Sequence, residues 1–303
     1  MKIPHIPVLL DEVKKVFKDI KDGYIVDCTV GYGGHSEALL EQNPKIKLIC
    51  CDQDIVAINF SKKRLDRYKD RIIFENDKFS NIIGKYSNLP IRGILADIGV
   101  SSLQLDDESR GFGFKSDTLD MRMDKNNNLS AYEVVNSYSK EDLENILRDY
   151  GEVREFKRVA KMICKAREKE EIKSSKQLAD VFKKFPSKKG INPATLIFQA
   201  IRIEVNDELG ELAGLFKTIE NANLSDCLVA IISFHSLEDR IVKRVFKEFA
   251  KSCICPAGAM RCECGDNHSL GKILTKKPIV PTEKEIRENP RSRSSKMRIF
   301  KIK

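Results

Sequence analysis

Three groups of residues in the 303-residue chain have the types and spacing to do chemistry. The first is Val26-Asp27-Cys28-Thr29-Val30-Gly31-Tyr32-Gly33-Gly34-His35. Glycines between a first strand and a first helix let backbone amides approach a ligand closely. A dinucleotide site would continue as Gly-x-Gly-x-x-Gly, but Ser36 holds the third glycine's place, so close docking of a pyrophosphate is not the best reading. Asp27 suits instead a ligand with a cationic amino-acid end, such as the ammonium of methionine. Asp52, in Cys51-Asp52-Gln53-Asp54, lies about twenty residues beyond the loop, where a carboxylate accepts from a ribose diol. Asn76-Asp77-Lys78-Phe79 adds an aromatic for an adenine face and a carboxylate for its amino group. Taken in this order, at three successive strand ends, these features predict an S-adenosylmethionine site.

The second group is Asp97-Ile98-Gly99-Val100-Ser101-Ser102, at the end of a fourth strand. An exocyclic amine has its lone pair conjugated into the ring, so methylation needs an acceptor that polarises the N–H as the methyl arrives. Asp97 is the candidate catalytic residue; its competing reading is a helix N-cap. No Pro-Pro-aromatic follows it, which argues against a DNA amino-methyltransferase. A stacking partner for a base must then come from Phe112, Phe114 or Phe234, each of which also reads as core. His235, in Ser233-Phe234-His235-Ser236, reads better as a hydrogen-bonded structural histidine than as a pocket residue.

The third group is Cys253-x-Cys255 and Cys262-x-Cys264, with His268 beyond. Pro256, Gly258 and Gly265 make the segment a loop. Four thiolates around zinc and a metal-free loop both stay open; the Cys-x-Cys spacing departs from the usual Cys-x-x-Cys, and no metal is assigned.

The elements that must position these residues read as an α/β chain. Tyr24–Val30, Lys47–Cys51, Arg71–Glu75 and Gly93–Ile98 read as strands, with helices starting near His35 and Ile55. After Ser102 the alternation stops for about a hundred residues, and helices take over. Ser139 caps one helix, and Val153, Phe156, Val159 and Ile163 stripe the next. Asn192-Pro193 opens another, running through Leu196, Gln199 and Ile203 to Leu209. Cys227–Phe234 restores the sheet, a helix opens at His235, and Lys296–Ile302 reads as a final edge strand. The expected domains are residues 1–106 and 208–303 as a methyltransferase domain in two parts, around an inserted all-helical substrate-recognition domain at 107–207.

A chain with 41% hydrophobic residues has ample material for a core, and no apolar run is long enough for a membrane span. No signal peptide is evident, and a cytoplasmic protein is expected. Nine cysteines, several inside apolar runs, argue against a disulfide framework. The net charge is +9, and residues 272–303 alone hold eleven Lys or Arg against three Glu. That asymmetry suits a polyanionic partner such as nucleic acid.

Nearly end to end, these residues resemble one family, the bacterial 16S ribosomal RNA cytosine-N4 methyltransferases of MraW type. The resemblance is carried by His5-Ile6-Pro7-Val8-Leu9-Leu10-Asp11-Glu12, the Gly33-Gly34-His35-Ser36 loop, and Asp97 to Ser102 with Gln104-Leu105-Asp106. It continues in Arg110-Gly111-Phe112, Asp120-Met121-Arg122-Met123-Asp124, Pro193-Ala194-Thr195, Phe198-Gln199-Ala200, Ser233 to Arg240, and Pro290 to Ser295. It implies a Rossmann-like class I S-adenosylmethionine methyltransferase sheet with an inserted all-helical domain. The activity implied is methylation of N4 of a decoding-centre cytidine in 16S rRNA of the small ribosomal subunit, with no membrane partner and a homodimer compatible. By position, Gly33, Gly34, His35, Asp52, Phe79, Asp97 and Gln104 match the family's cofactor contacts. Asp27-Cys28-Thr29-Val30-Gly31 replaces the commoner Asp-Gly-Thr-Phe-Gly, a change within the strand that leaves the cofactor loop intact. The rival reading is an RNA-binding ribosome-assembly factor with a retained cofactor pocket.

Overall fold

The computed structural model describes residues 6–185, 194–256, 258 and 261–303. His5, Asn192 and Pro193 lie outside the described residues. The chain forms two compact units, 1–99 with 210–303, and 100–209. The first break therefore falls at 99/100, seven residues before the expected one.

In the first unit, α1 (Leu10–Phe17), β1 (Gly23–Asp27), α2 (Gly34–Gln42), β2 (Ile46–Cys51), α3 (Ile55–Arg64), β3 (Ile72–Glu75), α4 (Phe79–Lys85) and β4 (Ile91–Asp97) alternate. The second unit holds α5 (Ser102–Asp106), α6 (Ala131–Ser137), α7 (Lys140–Asp149), α8 (Phe156–Lys169), α9 (Ser175–Val181) and α10 (Ala194–Asn206). Among its described residues there is no strand. The chain then continues through α11 (Glu208–Asn221), β5 (Leu228–Ser233), α12 (Ser236–Phe249), β6 (Gly271–Ile273), α13 (Glu283–Glu288) and β7 (Lys296–Ile302).

The seven strands pair in the order β3-β2-β1-β4-β5-β7-β6, parallel except for β7, which is antiparallel to both neighbours. This is a Rossmann-like, doubly wound α/β sheet. Consecutive strand residues face opposite sides, as the two-residue period requires. Val26, Ile49, Ile94 and Ile231 pack under α4, α11 and α12, while Ile25, Leu48, Leu95 and Ile232 pack under α1, α2 and α3. Both faces are covered, which explains the near-continuous apolar strand sequences. The parallel register sets Asp27, Cys51, Glu75 and Asp97 along one carboxyl edge. Among the described residues no helix is long and apolar enough to cross a membrane.

Three expectations are corrected. Lys296–Ile302 is not an edge strand: β6 covers it, and β6 has only three residues, too few to announce a period. The expected helix through Leu209 is broken at Asp207, whose φ of 48° is left-handed, so α10 and α11 are separate. One member of the basic C-terminal segment is structural: Arg298 is 7% exposed within β7 and forks onto Asp239, Nε to Oδ1 at 2.7 Å and Nη2 to Oδ2 at 3.1 Å, while most of the segment's other Lys and Arg are exposed. Ser139 caps α7 as expected, accepting from Asp142 N at 3.0 Å.

Candidate active site

The loop after β1 is held by its own strand neighbours. Cys28 N donates to Leu95 O at 2.8 Å and Val30 N to Cys51 O at 2.9 Å, so strand-like pairing persists beyond Asp27. Gly33, the N-cap of α2, has φ 75°, a conformation that side chains resist. Gly34 is glycine for a different reason: a Cβ there would lie 2.3 Å from Pro7 Cγ.

Asp27 is almost wholly buried, 1% exposed. Its Oδ2 accepts from Ser36 Oγ at 2.6 Å and its Oδ1 from Thr29 N at 3.3 Å. Burial outweighs both bonds and pushes its pKa up to about 6. With both oxygens engaged, Asp27 pins the turn and contributes charge from behind it. Ser36, read as a missing glycine, is the hydroxyl that this buried carboxyl requires.

Asp52 follows β2. Its Oδ2 accepts from Gly31 N at 2.9 Å and its Oδ1 from Asp54 N at 2.9 Å. Each oxygen keeps a second lone pair for a donor such as a hydroxyl. Burial raises its pKa to about 7, opposed by those two backbone bonds. Asn76 Nδ2 donates to Asp52 O at 2.9 Å, which joins the end of β3 to the same edge. Phe79, the first residue of α4, is half-buried against the core. Asp77 is already engaged, accepting from Lys78 N at 2.7 Å and Asn81 Nδ2 at 2.9 Å.

Asp97 closes β4. Its own N donates to Thr29 Oγ1 at 2.8 Å, tying the β4 end to the β1 loop. Its Oδ2 lies 3.8 Å from His35 Nδ1, while His35 Nε2 is 2.8 Å from Val8 O. Its Oδ1 is buried without a hydrogen-bond partner among the described residues. Burial first, then the charges of Asp27 and Glu238, raise its pKa to about 8. Unsatisfied buried carboxylate oxygens are costly and uncommon, so one at a ligand-binding edge marks a place meant for a donor.

Among the described residues, none of Asp27, Asp52 and Asp97 is ion-paired with Lys or Arg. An edge with three acidic groups and no Lys or Arg paired to them disfavours a pyrophosphate, and a bound cation would in turn favour their ionised forms. A cradle with this charge, a diol acceptor and an aromatic at the third strand end fits S-adenosylmethionine.

The first unit therefore brings Gly33, Gly34, His35, Asp52, Phe79 and Asp97 to one sheet edge. Gln104 belongs to the helical unit, on α5, where its Oε1 accepts from Ser101 N at 3.0 Å and its N donates to Ser101 Oγ at 3.2 Å. His235 is the N-cap of α12, in a capping box with Glu238. Glu238 Oε2 also accepts from Phe234 N at 2.8 Å. Two contributors were missed in the sequence reading, Thr29 and Glu238, because their roles depend on strand neighbours distant in the chain. Phe112 is core in the helical unit, Phe114 meets Phe198 edge-on at 4.7 Å, and Phe234 is half-buried beside Gly99. Within that unit a groove of about 590 Å³ is lined by Phe114, Lys115, Lys176, Phe182 and Lys183, among others.

The model of the MraW methylase family matches residues 2–303. The chain is 62% identical over 302 residues to a protein of Aliarcobacter butzleri, with all of both chains covered. It is 55% identical over 307 residues to one from Campylobacter concisus and 54% identical over 304 residues to one from Wolinella succinogenes, again with all of each chain covered. All three relatives carry the name Ribosomal RNA small subunit methyltransferase H. The chain belongs to the MraW methylase family and is a methyltransferase that takes S-adenosylmethionine as its cofactor.

Proposed function

We propose that the chain methylates the exocyclic N4 of a decoding-centre cytidine in 16S rRNA of the small ribosomal subunit, in the cytoplasm. The observation that carries this reading is the orphaned, buried Oδ1 of Asp97 at the end of β4.

S-adenosylmethionine supplies an electrophilic methyl group. Gly33 and Gly34 would let the loop backbone approach it, Asp52 would accept from its ribose hydroxyls, and Phe79 would offer a ring to its adenine. His35 adds a further contact from the first unit and also stands beside one edge of the Asp97 carboxyl, its Nδ1 3.8 Å from Oδ2. Asp97 accepts a hydrogen bond from the cytidine amine, draws the N–H bond and frees the nitrogen lone pair from the ring. As the amine becomes cationic its acidity rises steeply, and the ionised carboxyl takes the released proton. Once ionised, a carboxyl whose pKa is pushed up to about 8 is a stronger base than an ordinary aspartate, which favours that transfer. The helical unit recognises RNA through its groove, where lysines meet phosphates and Phe114 offers a ring.

The test is to incubate the protein and labelled S-adenosylmethionine with small subunits from a strain lacking it, then map the modified nucleotide. Label on N4 of one decoding-centre cytidine is expected. Label elsewhere, or none, overturns the assignment.

A further inference from the structure

The loop between Phe249 and Gly271 brings Cys253, Cys255, Cys262 and Cys264 together, with all four Sγ atoms within 4.8 Å of one another. Cys262 Sγ is 3.6 Å from Cys264 Sγ, and Cys264 Sγ is 3.7 Å from Cys253 Sγ. A disulfide would need about 2.05 Å, and all four thiols are free. Four sulfurs tetrahedral about zinc, with Zn–S near 2.3 Å, stand about 3.8 Å apart along each edge. These two separations thus match the edge of a zinc tetrahedron.

The backbone is arranged around these sulfurs in a reciprocal way. Ile254 N, inside the first Cys-x-Cys, donates to Cys264 Sγ at 3.3 Å. Glu263 N, inside the second, donates to Cys255 Sγ at 3.3 Å. Each arm thereby directs an amide at the last sulfur of the other, and amides aimed at sulfur offset the charge of thiolates. His268 acts outside the cluster: its Nε2 is 2.8 Å from Cys264 O, and its N donates to Ser252 O at 2.9 Å.

Core packing gives no alternative account of the cluster. Cys253 and Cys262 are exposed, and Ile254, between two of the cysteines, is 62% exposed. Cys28, Cys50, Cys51 and Cys227, by contrast, are buried in the sheet. A loop of this length without an apolar core needs another cross-link to hold a fixed shape.

We propose that Cys253, Cys255, Cys262 and Cys264 bind one Zn²⁺ as a closed structural site that staples the α12–β6 loop. The spacing of the cysteines in sequence did not assign a metal; their arrangement in space does. With four protein ligands the ion has no open position, and its role is to fix the loop that delivers β6 to β7.

The test uses the full chain, purified under reducing conditions, with metal content measured after gel filtration. One zinc per chain is expected, released when a mercurial titrates the thiols. Substitution with Co²⁺ should give sulfur-to-cobalt charge-transfer absorption and the intense visible bands of a tetrahedral site. The double variant Cys253→Ser, Cys262→Ser should lose the metal and keep its far-ultraviolet circular dichroism; if it fails to fold, the cobalt spectrum of the parent decides. A reduced chain that holds under a tenth of an equivalent after incubation with equimolar Zn²⁺, a cobalt spectrum without sulfur bands, or zinc retained by the folded variant each overturns the proposal.

Discussion

Replacing Asp97 by Asn separates a functional carboxylate from a structural one by the sign of its effect on stability. In the folded protein the Asp97 pKa is raised from 3.8 to about 8, chiefly by burial and secondarily by Asp27 and Glu238. The protonated carboxyl is therefore the form that folding favours. Its contribution is complete below pH about 4 and is lost as pH climbs through about 8. Four units at ~1.4 kcal/mol each set a ceiling of about 6 kcal/mol. The side chain is 18% exposed, and relaxation with water entry reduces the realistic figure to about 1–3 kcal/mol. Asn has nearly the same shape and never ionises. The Asp97→Asn variant should match the parent near pH 4 and exceed it by that margin at pH 8.5, read by urea unfolding of the cofactor-free chain. Methyl transfer in single turnover should meanwhile fall by about 10²- to 10⁴-fold, the range for losing a positioned acid–base group. An N-cap aspartate would give the opposite stability result, since Asp97→Asn could not then stabilise. A variant less stable than the parent at pH 8.5, or one transferring methyl at the parental rate, would refute the reasoning.

Asp52→Ala removes the partner of the Gly31 amide together with the diol acceptor; at ~1.5–3 kcal/mol for hydrogen bonds to a charged group, calorimetry should find cofactor affinity down by about 10- to 100-fold. Gly34→Ala drives a Cβ to 2.3 Å from Pro7 Cγ and should cost about 1–3 kcal/mol in thermal or urea unfolding. Adding Pro7→Gly should recover most of that loss, and a second substitution that recovers nothing would rule out the clash. Lys276, Lys277 and Arg293 are exposed where Arg298 is not. Their replacement by Gln should lower the slope of log affinity for ribosomal RNA against log salt by about one per phosphate contact removed, and an unchanged slope excludes that face from RNA binding.

What could be read in the sequence and what could not divides by the distance over which the cause acts. β1 to β4 announce themselves because each is a short apolar run with β-branched residues closed by a turn, and for β1, β2 and β4 burial on both faces is written into the run itself. The cofactor edge is legible for a related reason: in a parallel sheet, residues that follow successive strands fall on one side without further specification, so Asp27, Asp52 and Asp97 meet whatever the loops do. Arg298 is the contrary case. Alternation and charge in Lys296–Ile302 describe an edge strand and a basic tail, but Asp239, 59 residues earlier on α12, makes it a buried ion pair inside the sheet. Asp207 likewise follows an unbroken helical stripe, and only a left-handed residue separates α10 from α11.

The same distinction explains why Asp97 stands out only after folding. In sequence it is a carboxylate before Ile98-Gly99 that a helix N-cap would explain equally well. Once Thr29 has fixed its backbone, His35 holds one oxygen's edge, and Asp27 and Glu238 have raised its proton affinity, the other oxygen remains buried and unanswered. An N-cap spends its oxygen on the first-turn amides. Asp97 keeps its oxygen in reserve, and in a fold that otherwise answers its buried carboxylate Asp27 twice over, that reserve is explained by a donor arriving with the substrate.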